Sequence, residues 1–162
     1  ICFFSFTNFP GGHRLRKILF NENGEKKTKF EIMNSAMWPL FEMNSFEDLA
    51  SWKKERNASA LTETNIIIPI FVNNHWMVGI ISTFKSSNPV VQLYDSKHQE
   101  RPSQVQLLFK IAKYLTFKQA TYTKLTGPYQ NDGYNCGPYT ILAVKYLSST
   151  SWQTSFISAA KT

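Results

Sequence analysis

Cys136 sits in "PYQNDGYNCGPYTILAVKYL" (residues 128–147), where a Gly-containing turn runs into an apolar stretch, in a chain with two cysteines. If that stretch is helical, the partial positive charge of its N-terminus favours a thiolate, the form of cysteine that attacks a carbonyl. A nucleophilic cysteine also needs a base to take its proton and a third group to orient the base. The histidines are His13, His75 and His98. His75 follows the polar turn "VNN" and opens the apolar run "HWMVGIIS", while Asp95 closes "VVQLYDS". If these two runs are neighbouring strands, a His at one strand end can meet an Asp at the end of the other. Gln130, six residues before Cys136, offers a side-chain amide that could stabilise an oxyanion together with the Cys136 N–H. Gly133 and Gly137 leave backbone free to approach a substrate closely.

Each of these residues also has an ordinary structural reading. A His beside a Trp can be a core residue, and an Asp at a strand end can cap a turn. His98, three residues after Asp95, could pair with it locally and leave no triad. Cys2, in "ICFFSF", reads as a buried or incidental thiol.

The elements that must position these groups follow from periodicity. "NIIIPIFV" (65–72) is a continuous β-branched run, as expected of a strand buried on both faces. "HWMVGIIS" (75–82) and "PVVQLYDS" (89–96) read as further strands, bounded by "KSSNP" and "SKHQERPS". In "SQVQLLFKIAKYLTF" the period changes, and Val105, Leu108, Ile111, Ala112 and Leu115 share one helical face. "ATYTKLT" alternates like a strand. "PYTILAVKYLSS" predicts a helix buried over much of its circumference through Ile141, Leu142, Val144 and Leu147, with Pro138 in its first turn. Residues 34–54 look helical in patches, interrupted at Pro39, and the first 30 residues show turn signals at "FPGGH" and "NENGEKK". The expected class is α+β, with a central sheet flanked by helices.

Composition sets the outer bounds. A chain of 162 residues with 43% hydrophobic and 15% aromatic content suits one globular domain. Two cysteines cannot build a disulfide framework, which points to a reducing, intracellular setting. The longest apolar run, "IIIPIFV", is far short of the roughly 18 residues of a membrane span. There is no secretory leader at the N-terminus and no initiator Met, so the sequence reads as a piece of a longer protein. The net charge of +7 favours acidic partners, but the basic residues are scattered and form no stripe. A solvated surface is the expected reading, and nucleic acid is not an expected partner.

Taken together, "HWMVGIIS", "VVQLYDS" and "YQNDGYNCGPY" resemble the signature of the ubiquitin-like-protein proteases, the clan of the SUMO proteases and the adenovirus proteinase. Its order of His-Trp, an acid after a "YDS"-like strand end, Gln, then Cys-Gly falls on His75-Trp76, Asp95, Gln130 and Cys136-Gly137. The 20 residues from His75 to Asp95 and the 41 from Asp95 to Cys136 are also similar to the clan. The resemblance covers residues 64–147. It implies a mixed sheet flanked by helices, a papain-like cysteine protease core in His-Asp-Gln-Cys chain order. It further implies no cofactor and no metal, and a partner that is ubiquitin or a ubiquitin-like modifier such as SUMO or NEDD8, with its conjugates. Trp76 would then roof a narrow tunnel for the modifier's Gly-Gly tail, a flat lid that admits glycine backbone and excludes larger side chains. The whole of 1–162 is expected to be one cysteine protease domain, with 64–150 as catalytic core and 1–63 as a substrate-recognition region. One departure is visible: many members carry Asp immediately before the nucleophile, where this chain has Asn135, with Asp132 three residues upstream.

Three other readings remain at this point. One is a viral or transposon-type polyprotein-processing proteinase of the same clan. Another is a related acetyltransferase, against which Asp95 (where a Glu is usual) and the short chain count. The last is a non-catalytic modifier-binding module, against which the intact set of four residues counts.

Overall fold

The computed structural model describes residues 29–56, 61, 64–83 and 88–147; Cys2, His13 and the two N-terminal turn signals lie outside them. Five strands form one sheet in the order β1-β2-β3-β4-β5. They are β1 (Lys29–Ile32), β2 (Thr64–Val72), β3 (His75–Ser82), β4 (Val90–Tyr94) and β5 (Thr121–Lys124). The pairs β2–β3 and β3–β4 are antiparallel, while β1–β2 and β4–β5 are parallel, so the sheet is mixed. Among the described residues four helices accompany it: α1 (Met37–Glu42), α2 (Glu47–Glu55), α3 (Pro102–Thr116) and α4 (Cys136–Leu147). This is the α+β architecture expected from the sequence.

The β2–β3 hairpin turns on Asn73 and Asn74, with φ of 51° and 59°. Two consecutive left-handed residues make the tight turn whose twist suits a hairpin, and Asn tolerates that region better than most residues. The turn sets the register, pairing Val72 with His75, and so puts the histidine at the end of the sheet. Pro69 lies within β2, which looks forbidden for an inner strand. The β1 partnership, however, ends at Ile32↔Ile67, so beyond that point only the β3 edge of β2 is in use.

The sheet separates two apolar clusters. On one face Trp38, Phe41, Leu49 and Trp52 from α1 and α2, with Leu108, Ile111 and Leu115 from α3, pack on Ile66, Ile68, Ile70 and Met77. On the other, Ala143 and Leu147 of α4 pack with Phe30, Ile67, Val78, Ile80 and Tyr94. The alternation of β2 and β3 side chains between the two clusters is the period of two expected of a doubly covered sheet.

Several expectations need correction. Pro39 does not interrupt the first helical region; it sits in the first turn of α1, where its missing N–H removes no helical bond. The break comes after α1, where Asn44 adopts a φ of 56°. Helix α4 is not buried over most of its circumference, since Ile141 and Leu142 are 41% and 36% exposed. Its buried positions Cys136, Thr140, Ala143 and Leu147 follow one helical stripe instead. Strand β1 was not anticipated, because four residues, "KFEI", are too few to show a period.

Gly79 of β3 explains how α3 can lie so close to the sheet. A Cβ built there would come within 2.6 Å of Leu108 Cδ2 and 3.2 Å of Ile70 Cδ1, and both side chains are fully buried. Gly79→Ala should therefore destabilise the protein by about 1–3 kcal/mol through overpacking. Leu108→Ala should relieve part of that, so that denaturant unfolding of the double variant shows less than the sum of the single losses. Strict additivity would mean that the close approach is not what requires glycine here.

Candidate active site

His75, Asp95 and Gln130 are all buried, and the fold brings their surroundings together at one end of the sheet. The Nε2 of His75 lies 2.6 Å from Asp95 Oδ1. The two side chains come from the start of β3 and the residue after β4, as the strand-end argument expected. The other ring nitrogen, Nδ1, is buried and has no hydrogen-bond partner among the described residues. His98 does not take the place of His75. Its backbone N–H closes a turn to the Asp95 carbonyl at 2.9 Å, and its Nε2 lies 2.9 Å from the Gly127 carbonyl oxygen.

Asp95 is saturated with donors. Oδ1 also accepts the Lys97 backbone N–H at 2.8 Å, and Oδ2 accepts Arg101 Nε–H at 2.7 Å. Burial by itself would push this carboxyl up; the bonds from His75, Arg101 and Lys97 prevail and bring it from 3.8 down to about 2. Arg101 was not singled out from the sequence, where it sits in the polar run "SKHQERPS" with nothing to mark it.

The turn after β4 also holds the loop that leads to the cysteine. Ser96 Oγ–H donates to Gln130 Oε1 at 2.7 Å, and Gln130 N–H donates to the Ser96 carbonyl at 2.7 Å. Tyr94 O–H donates to the Pro128 carbonyl at 2.7 Å. With Oε1 committed to Ser96, the donor end of the Gln130 amide faces Asp132, 2.9 Å from its carbonyl oxygen and 3.1 Å from Oδ1. An oxyanion would share or compete for those hydrogens.

Asp132 organises the rest of this loop. Its carboxylate accepts the backbone N–H groups of Tyr134 and Asn135 at 2.9 and 2.7 Å, and Asn135 Nδ2–H at 2.7 Å. The Tyr134 amide bond is the leading cause that draws this exposed carboxyl down to about 2. Asn135, in the position where the sequence resemblance expects an acid, is thus a partner of a carboxylate that arrives from three residues upstream.

Cys136 is buried and is the first residue of α4. Tyr139 N–H donates to the Asn135 carbonyl, the first helical bond, which leaves the N–H of Cys136 without an intrahelical partner. Trp76 is 9% exposed, and its Cδ1 lies 3.8 Å from where a Cβ on Gly137 would be. Phe71 packs beside it, ring centroids 4.8 Å apart. The indole therefore adjoins the start of α4. Around Gly133 a Cβ would meet nothing within 4 Å, so in the free protein space does not demand glycine at that position. Among the described residues no group of His, Cys, Asp and Glu could hold a metal ion, and no helix is long and apolar enough to cross a membrane.

A mixed sheet with a buried His–Asp pair at its end and a cysteine opening the following helix defines a cysteine-peptidase type of architecture. The family model "Ulp1 protease family, C-terminal catalytic domain" matches residues 19–158, and the chain belongs to that family. Among solved structures it is similar to a Chaetomium thermophilum Ulp1-like SUMO protease catalytic domain (18% identity, TM-score 0.58, covering 69% of this chain and 47% of that one). It is similar also to the Xanthomonas campestris effector XopD bound to ubiquitin (21%, TM-score 0.53, 78% and 65%). A third is the C-terminal Ulp1 protease domain in complex with Smt3, the yeast ortholog of SUMO (18%, TM-score 0.55, 75% and 58%). The chain spans about half the length of the first structures it matches, 51% and 47%. No match was found among curated protein sequences.

The depressed Asp95 carboxyl carries a stability consequence. Its folded value lies below the unfolded 3.8, so its contribution is complete above about pH 4 and is lost as pH falls towards about 2. Asp95→Asn should therefore lose less stability than wild type between about pH 5 and pH 2, measured by denaturant unfolding. Equal losses would contradict a preferentially ionised Asp95 in the folded chain.

Proposed function

We propose that this chain is the catalytic part of a cysteine peptidase that cleaves after the C-terminal Gly-Gly of ubiquitin or a ubiquitin-like modifier. The observation that carries this reading is the polarity of His75. With Nε2–H committed to Asp95, Nδ1 is left as the basic nitrogen, buried and unpartnered among the described residues. A base so arranged can take the proton of Cys136 at the start of α4. The thiolate attacks the carbonyl carbon, and the oxyanion is met by the Cys136 N–H and Gln130 Nε2. The amine leaves with the proton held on His75, a thioester remains, and water attacks it with the same imidazole as base. Trp76, beside Gly137, would lie over the substrate's last two residues.

Membership of the Ulp1 family supports peptidase chemistry, and the relatives bound to Smt3 and to ubiquitin support a modifier as substrate. The single-domain reading and the assignment of 1–63 to substrate recognition belong to this proposal too, since modifier selectivity requires a surface broader than the catalytic end of the sheet. A panel of modifier-derived activity probes tests it directly. Labelling should occur at Cys136, be abolished by Cys136→Ala and His75→Ala, and survive Cys2→Ala. Labelling that persists in Cys136→Ala would remove the assignment.

The tunnel gives a quantitative test. Replacing the substrate's final Gly by Ala pushes a methyl against Trp76, an overpacking that typically costs about 1–3 kcal/mol. The kcat/KM should then fall roughly 5- to 150-fold, and Trp76→Ala should shrink that ratio while slowing the Gly-Gly substrate. A wild-type enzyme that accepts Ala as readily as Gly has no such slot and is better read as a processing proteinase with an open cleft.

A further inference from the structure

Asp95 faces two cationic side chains of different kinds. His75, from β3, is charged only in part of a reaction cycle, because it is the group that gains and releases the proton. Arg101 is charged throughout. Its Nε–H bond to Asp95 Oδ2 leaves Oδ1 to His75 and the Lys97 N–H, so the carboxylate is divided between a transient and a permanent partner. We propose that Arg101 is a positioning residue for the proton-transfer apparatus: it keeps Asp95 ionised while His75 is neutral, so that the carboxylate is ready to stabilise the imidazolium. The inference rests on the proposed roles of His75, Asp95 and Cys136, and it adds a fourth side chain that never touches substrate.

The placement of Arg101 favours this over an incidental surface contact. Its backbone is fixed as the residue that precedes α3, its carbonyl accepting Val105 N–H at 3.0 Å, with Pro102 next in the chain. Its side chain is 23% exposed while that of Asp95 is 3% exposed, so the bond lies at the inner end of a partly covered arginine. A carboxylate this deeply buried is driven towards its neutral form unless donors oppose it. A neutral Asp95 could no longer stabilise an imidazolium.

The other charged and titratable groups around Asp95 are committed elsewhere. From β4, the Tyr94 hydroxyl donates to Pro128, and burial pushes that phenol upward. From β5, Lys124 Nζ lies 2.6 Å from Glu100 at the exposed surface. Lys97 contributes its backbone N–H, and the His98 ring is engaged with Gly127. On α4, Tyr139 acts electrostatically on Tyr94. None of these replaces the fixed cation on Oδ2.

Removing Arg101 acts through the carboxylate. Asp95 becomes easier to protonate, and a neutral Asp95 no longer anchors the imidazolium of a thiolate–imidazolium pair. Loss of that pair moves the acidic limb of Cys136 reactivity to higher pH. The test is the rate of alkylation of Cys136 by iodoacetamide against pH, followed by peptide mass on the intact chain, because this needs no substrate. In Arg101→Gln the limb should rise by about one pH unit, the scale of losing one opposite charge at this distance. Arg101→Lys should fall between that variant and wild type. In an Asp95→Asn background Arg101→Gln should add no further shift, since its effect passes through the carboxylate.

A limb that stays in place in Arg101→Gln, whether the rate is preserved or lowered uniformly, would overturn the inference and leave a merely structural arginine. A shift that persists in the Asp95→Asn background would overturn it too. If Arg101→Gln does not fold, Arg101→Lys decides alone, an unmoved limb counting against the proposal. The wild-type profile separates this failure from that of the proposed function: alkylation of Cys136 with the pH dependence of an ordinary cysteine means there is no working triad for Arg101 to tune.

Discussion

Asp95 is the joint on which the site hangs. Its two oxygens receive the imidazole of β3, the guanidinium at the head of α3 and a main-chain amide of its own turn. A buried carboxylate with three donors is held as an anion by all of them together, because each partner offsets part of the desolvation penalty. The geometry of His75 is therefore tied to the end of one helix as well as to two strands. The same turn extends its reach through Ser96, which orients the Gln130 amide, and through Tyr94 and His98, which hold the carbonyls of Pro128 and Gly127. Asp95 and the loop that carries Gln130 are thus parts of one polar seam.

That seam can be rigid because the sheet behind it is doubly covered. Residues on β2 and β3 alternate between two apolar clusters, and the close approach of α3 over Gly79 sets the distance of that helix from the sheet. The hairpin at Asn73-Asn74 then fixes which residue of β3 reaches the sheet end. A slip of one residue would put Trp76 in the place of His75 and turn every side chain of the strand to the opposite face.

Much of this was legible in the sequence because the relevant patterns are local. The β-branched run of β2, the strand end at "LYDS" and the apolar face of α3 declare themselves through period and composition. The meeting of His75 with Asp95 needed only the assumption that two consecutive strands are neighbours. What stayed hidden was of another kind. Arg101 and Ser96 earn their places through contacts across the fold, and in the sequence each is one more polar residue in a turn. Asp132 was noticed only as a displaced acid, since its bonds to Tyr134, Asn135 and Gln130 depend on loop geometry that no periodicity encodes. The burial of α4 was overread for the converse reason. Its apolar content is high, but only one stripe meets the sheet, and Ile141 and Leu142 face away from it.

The two faces of the sheet are unequal, and this bears on how Cys136 is kept. Among the described residues, α4 rests on the smaller apolar cluster, whereas α1, α2 and α3 share the larger one. Docked on the smaller cluster, α4 lies against β3, the strand that begins at His75. His75 and Asp95 are joined to each other and to Arg101 without any help from α4. Undocking of α4 would therefore uncover Cys136 while leaving the bonds among His75, Asp95 and Arg101 in place. Under the proposed roles, a sulfur uncovered in this way has left the imidazole behind, so the reactivity of the cysteine would depend on the integrity of the fold around it.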